Sequence, residues 1–189
     1  MPRMGLTAER VVVEAGAVAD EVGLDRLTLA AVAQRFGVSV PSLYKHVKGL
    51  DGLNRDLSVY AVRELHDALS RVAVGRSGRD ALHAIAAAYR TYAHAHPGLV
   101  AASVRAPAPD DAEHLDVAGG IVGMLAAALG DYQLRDADMI DAIRMLRAAM
   151  HGFVTLETSG GFGIPQSVDA TFTRLIDSLD AAYRSWGGR

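Results

Sequence analysis

Lys45 and Lys48 are the only two lysines in a chain of 189 residues. They close a stretch, Arg26 to Leu50, that also holds Arg26 and Arg35 and no acidic residue. The whole chain carries a net charge of −3, so everything outside this stretch sums to −7. Cations gathered on an otherwise acidic protein suit a phosphate backbone, because each one that meets a phosphate releases a condensed counterion. Ser42, Tyr44 and His46 are interleaved with the lysines and add hydrogen-bonding groups for phosphate oxygens or base edges. The pattern points to contact with double-stranded DNA.

The elements that must present these side chains can be read from their neighbours. Thr28 can cap a helix whose apolar positions, Leu29, Val32, Ala33 and Phe36, recur at i, i+3, i+4 and i+7. Gly37 follows, where a left-handed residue ends a helix at little cost. Val38 then plugs the corner, and Ser39 caps a second short helix from about Val40 to Val47, with Pro41 in its first turn. Leu43 and Val47 point back to the core, which leaves Ser42, Tyr44, Lys45, His46 and Lys48 facing outward. Small Ala33 lets the two helices cross closely, as in a helix-turn-helix. The alternative is an ordinary helical hairpin with a solvated polar face.

Thr28 to Leu53, and the block Leu43-Tyr44-Lys45-His46-Val47-Lys48 in particular, resembles the DNA-binding domain of TetR-type (TetR/AcrR) transcriptional regulators. The likeness covers roughly residues 6 to 55. It implies that Thr28, Tyr44, His46 and Lys48 meet phosphates, and that Pro41, Ser42 and Lys45 read base edges. Ser39 and Val40, at the start of the same helix, complete the DNA-binding set. A lysine that the family often places two positions beyond Lys48 is Leu50 here, and glycines at 49 and 52 flank Asp51.

Composition narrows the rest. Half of the residues are apolar, alanine is abundant and aromatics are scarce, which favours helix over sheet. There is no cysteine, so disulfides and thiolate metal sites are excluded. Met-Pro-Arg-Met-Gly-Leu-Thr at the start lacks the apolar core of a signal peptide. The longest apolar stretch, Val117 to Leu129, is about 13 residues, too short to span a bilayer. A cytoplasmic protein with no membrane contact is expected.

The layout reads as all-α with about nine helices. Helix one runs from Thr7 to about Val22, and helix four from about 50 to 74. A Gly75-Arg76-Ser77-Gly78 break follows. Helices then cover about 79–95, to about 104, 112–129, 136–158 and 168–186. The resemblance divides this into a helix-turn-helix domain, residues 1–49, and a helical effector-binding and dimerisation domain, residues 50–189, linked by helix four.

The last two helices carry apolar stripes. Met139, Ile143, Leu146, Met150 and Phe153 recur at four, three, four and three. Val168, Phe172, Leu175, Leu179, Ala182 and Trp186 do much the same. The family's four-helix dimer interface implies that these pack against a second copy, the alternative being a purely intramolecular core. Two recognition helices held about 34 Å apart would also meet successive major grooves.

Tyr89, Tyr92, His96, Leu99, Val104, Met124, Met145, His151 and Phe153, with Ile121 and Leu125, could line a mainly apolar cavity for a small lipophilic or aromatic effector. Each is otherwise plain core. His151-Gly152 resembles the His-Gly pair in helix eight of one TetR-type subfamily. It could reach a ligand, or hydrogen-bond within the bundle. The Gly160-Gly161-Phe162-Gly163 run lacks the context and the Lys-Ser/Thr ending of a phosphate loop.

No cofactor and no metal site is expected. His94 and His96, two apart, would point about 200° from each other on a helix and could share a metal only if the helix has already ended, and no Gly-x-Ser-x-Gly elbow appears. No catalytic residue is assigned. The expected protein is a ligand-responsive regulator, repression being the family's common mode, that binds a pseudo-palindromic operator as a homodimer. An architectural DNA binder without an effector is the alternative outside that class.

Overall fold

The computed structural model describes residues 6–187. The reading of the first residues as free of a targeting segment falls largely on 1–5, outside the described residues. Among the described residues the elements are nine α-helices and two 3-10 turns, with no strand. The helices are α1 Ala8–Val22, α2 Leu29–Phe36, α3 Val40–Leu43, α4 Gly49–Ala73, α5 Gly78–Ala95, α6 Pro97–Ala102, α7 Ala112–Ala128, α8 Asp136–Thr158 and α9 Val168–Gly187. No helix of the described residues is long and apolar enough to cross a membrane.

Local chemistry accounts for most of these boundaries. Thr7 Oγ1 accepts the Arg10 N–H at 3.2 Å and so caps α1. Gly23, at φ 90°, ends that helix. Thr28 Oγ1 accepts the Ala31 N–H at 3.1 Å, and Gly37 closes α2 in the left-handed region at φ 65°. Asp111 Oδ1 accepts the His114 N–H at 3.1 Å at the start of α7. The two 3-10 turns, Leu24–Arg26 and Gly130–Tyr132, follow helix ends and have no periodic signature in the sequence.

Two compact units account for the packing. The first is residues 1–65 with 95–118, and the second is 66–94 with 119–189. The division of packing therefore does not follow the boundary at 49/50 read from function: α4 and α7 each contribute to both units.

In the first unit, α6 lies on α1 closer than ordinary side chains allow. A Cβ on Gly98 would sit 2.2 Å from the backbone carbon of Ala19, and one on Gly16 would sit 2.9 Å from Leu99. Asp20 of α1 caps α6 from outside, its Oδ1 accepting the Leu99 N–H at 2.9 Å while its Oδ2 lies 2.9 Å from His96 Nδ1. Arg55 on α4 closes on Asp111, Asp56 and Glu113, and this neighbourhood holds the Asp111 carboxyl well below the usual range.

In the second unit, α8 packs on α9 through Leu146, Met150, Phe153, Phe172, Ile176 and Tyr183, all buried. Tyr183 donates to the Ala142 carbonyl at 2.8 Å, and Tyr132 donates to Asp180 at 2.6 Å. Arg90 on α5 forms a fork onto Glu157 of α8 and reaches Asp169 of α9 at 2.7 Å.

Candidate nucleic-acid interface

Three short elements support the residues that face outward. Val32, Ala33, Leu43 and Val47 are buried together with Val11, Ala15 and Val18 of α1. α3 packs on α2 and α2 on α1, and burial contributes roughly 1.5–3 kcal/mol per large side chain. Leu43 and Val47 do point inward, as their four-residue spacing requires.

Three details differ from the sequence reading. The α3 helix is one turn, Val40–Leu43, and then continues as a turn through His46. His46 N–H and Val47 N–H both bond the Leu43 carbonyl, at 2.8 and 3.0 Å. Ser39 makes no side-chain cap; its Oγ lies 3.1 Å from Ser42 Oγ, and the capping bond is the backbone one from Ser42 N–H to the Ser39 carbonyl at 2.9 Å. Val38 does not plug the corner but is 37% exposed, while its N–H bonds the Ala33 carbonyl at 3.1 Å.

Charge pairing separates the four cations of the basic stretch. Arg35 Nε reaches Glu14 at 2.7 Å and its Nη1 reaches Glu21 at 2.8 Å, so this guanidinium braces α2 against α1 and its pKa is raised by those hydrogen bonds. Arg26 Nε donates to the Val22 carbonyl at 2.5 Å, serving the open end of α1. Lys45 and Lys48, by contrast, are exposed, and among the described residues neither meets a carboxylate. Tyr44 stands between them with 60% of its surface in water. Ser42 and His46 are half-buried, and Pro41 is exposed. Thr28 accepts at its cap with Oγ1, which leaves its O–H proton free to donate outward.

The base of Lys48 is tightly placed. Gly49 follows at φ 73°, a backbone state that suits glycine. A Cβ on Gly52 would come within 2.9 Å of Lys48 Cβ. The two glycines that depart from the family's pattern therefore let α4 start directly behind the lysine.

In the second unit, Tyr89 and His151 form a pair, Tyr89 Oη standing 3.1 Å from His151 Nδ1. Burial pushes the Tyr89 phenol up to about 12. Burial, helped by Arg147, lowers the His151 imidazole. A neutral imidazole then accepts from the phenol.

Residues 82–179 match the model of a tetracyclin repressor-like C-terminal domain. An HTH-type transcriptional regulator of Mycobacterium tuberculosis is 36% identical over 177 residues, 93% of this chain and 81% of that protein. The chain belongs to the TetR family of transcriptional regulators. The HTH-type regulator YobS of Bacillus subtilis is 31% identical over 98% of this chain and 93% of its own length. In fold, the chain is similar to a TetR variant of Acinetobacter baumannii solved with minocycline, at TM-score 0.73 and 22% identity, covering 96% of this chain and 98% of that one. It is also similar to ActR of Streptomyces coelicolor solved with (S)-DNPA, at TM-score 0.70 and 18% identity, with 96% and 98% covered.

The other residues read from sequence fall as follows in this TetR-family chain. Of the stripes on α8 and α9, Ile143, Leu146, Met150, Phe153, Phe172 and Leu179 are buried within the single chain, while Met139, Val168, Leu175 and Trp186 are half-buried. Heptad-like spacing reports that a face is covered, not by which copy, and here α8 and α9 cover much of each other. Apolar side chains left exposed on α8 are Ile140, Met145 and Leu156.

The residues read as one effector cavity are divided between the two units. His96, Leu99 and Val104 belong to the first; Leu99 and His96 are engaged with α1, and Val104 is exposed. Tyr89, Tyr92, Met124, Met145, His151 and Phe153 belong to the second. Phe153 lines a cavity of about 210 Å³ with the segment after α8. His94 Nε2 sits 2.9 Å from Glu157, and His96, past the end of α5 at Ala95, pairs with Asp20.

Proposed function

We propose that this TetR-family chain is a ligand-responsive repressor that binds a pseudo-palindromic operator as a homodimer and lets go when a small lipophilic or aromatic effector binds. The observation that carries the reading is the separation of cations. Arg26 and Arg35 are consumed by the scaffold, whereas Lys45, Lys48 and Tyr44 stand exposed around a helix of one turn. Thr28, Tyr44, His46 and Lys48 take the phosphates. Pro41, Ser42 and Lys45, with Ser39 and Val40 at the helix start, face the bases, with proline against a thymine methyl and ammonium against guanine.

So short a helix offers few base contacts, which is the physical reason for a second copy at a spacing of about 34 Å. The exposed apolar side chains of α8 and the half-buried positions of α9 are the surface for that copy. Functionally the division falls at 49/50, with residues 1–49 for DNA and 50–189 for effector and partner, working in the cytoplasm.

Release follows from α6. It is fastened to α1 through Asp20 and Gly98, within the unit that holds α2 and α3. An effector that prefers a different α6 position shifts α1, and with it the recognition helix, by its differential affinity, typically about 1–3 kcal/mol. The ligand-bound relatives in fold support an effector.

Selection of bound sequences from a random duplex pool tests the reading. Enrichment of an inverted repeat with half-sites one helical turn apart is expected, followed by release with members of an apolar compound library. A chain that stays monomeric and enriches nothing at low ionic strength overturns it.

A further inference from the structure

The Gly160–Gly163 run, which has no role in the DNA interface, builds a defined turn. Gly160, at φ 72°, takes the left-handed position after α8, its N–H bonding the Glu157 carbonyl at 3.1 Å while Gly161 N–H bonds the Leu156 carbonyl at 2.7 Å. This pair of bonds is a Schellman closure. It sends Phe162 back over the helix end, where its ring centroid lies 4.9 Å from that of Phe153 at a tilt of 42°. Phe153 in turn meets Phe172 at 5.0 Å. The cavity of about 210 Å³ lies against this corner, walled by Phe153, Phe162, Ile164 and Val168, with Gln166 and Thr171 as its polar groups.

Three observations define what fits. The volume is below that of drug-sized sites, which suits one or two fused rings. The nearby cation is already neutralised: Arg90 lies 5.0 Å over Phe172 and 6.0 Å over Phe153, and pairs with both Glu157 and Asp169. A charged ligand therefore gains nothing there, while aromatic faces stack on aromatic walls. Of the polar groups, Thr171 asks for a donor, and the Gln166 amide can meet either a donor or an acceptor. Thr171 spends its O–H proton on the Ser167 carbonyl at 3.2 Å and keeps lone pairs, and the Gln166 side chain makes no hydrogen bond among the described residues.

We infer that the corner between the α8 C-terminal turn and the start of α9 binds a neutral one- or two-ring aromatic molecule carrying an O–H or N–H donor. This site stands apart from the DNA interface, and its test needs no DNA.

Calorimetric titration of the full chain with indole, 1-naphthol, naphthalene and 1-naphthoate reads it out. Indole and naphthol bind with Kd on the order of tens of micromolar, as compact ligands of that size do, naphthalene more weakly and naphthoate not at all. Phe162→Ala, at a side chain already 37% exposed, weakens indole about tenfold or more while the melting curve holds. Thr171→Val weakens indole but not naphthalene. The inference is overturned if no compound binds, or if Phe162→Ala leaves affinity unchanged. It fails equally if binding is lost in His151→Ala and not in Phe162→Ala, which would place the ligand beside Tyr89. Phe162→Ala that changes oligomeric state and spares indole binding would make the corner a contact between copies, and would also overturn it.

Discussion

The face around α3 and the helical body beyond it treat charge in opposite ways. In the body, arginines are closed onto carboxylates: Arg79 on Asp177, Arg90 on Glu157 and Asp169, Arg184 on Asp180. Just past α3, Lys45 and Lys48 stand exposed, and among the described residues neither meets a carboxylate. A satisfied ion pair has little left to offer a ligand, whereas an exposed cation contributes almost nothing to folding and keeps its counterion to exchange. Stability and affinity should therefore be separable by mutation, scaffold positions moving one and α3 positions the other.

The largest effect is expected on the scaffold side. Gly98→Ala drives a methyl into the α1 backbone, where nothing flexible can yield. It should cost about 3 kcal/mol or more, read as a lower denaturant midpoint, and DNA binding should fall only because less protein is folded. Next comes Arg90→Met. It leaves Glu157, whose side chain is only 15% exposed, with His94 as its remaining partner among the residues named, and should cost about 1–3 kcal/mol.

The same pair predicts an acid signature. Arg90 holds the Glu157 carboxyl down at about 2, below its ordinary 4.5. The stabilisation is thus complete above about pH 4.5 and is lost as pH falls from there toward 2. Denaturation followed against pH should show this loss in the parent and a flatter profile in Arg90→Met.

Lys45→Ala should relax selection at one base position by roughly 1–3 kcal/mol without touching the melting curve. Lys48→Ala should weaken every duplex alike and lower the salt slope by about one unit per subunit. The sharpest contrast is Arg35→Ala, since its charge is equal to that of Lys48 but is held by Glu14 and Glu21. It should leave the salt slope unchanged. A slope that drops as far as in Lys48→Ala would erase the distinction between the two regions.

Much of this was legible in the residues. Thr7, Thr28, Gly23 and Gly37 mark helix ends by local chemistry alone, and α8 spans the residues 136–158 read from the sequence. Leu43 and Val47 are inward because a helical turn leaves no other choice. What escaped depends on partners distant in sequence. Arg35 looks like any other cation until Glu21, 14 residues earlier, is seen to hold it. Asp20 meets Leu99 across 79 positions. A stripe on α8 or α9 announces burial but not the neighbour that provides it. The effector residues were chosen by shared polarity, which does not reveal that they belong to two packing units. The aromatic corner was missed because Phe162 belongs to a turn, where no period selects it.

Gly52 gives the chain a means of adjustment that involves no charge at all. With hydrogen as its side chain it leaves the stem of Lys48 where it is, and any larger residue would push that stem aside. Selection could thus re-aim the ammonium, and with it the strength of grip on a double strand, by altering a position that itself need touch nothing but the protein.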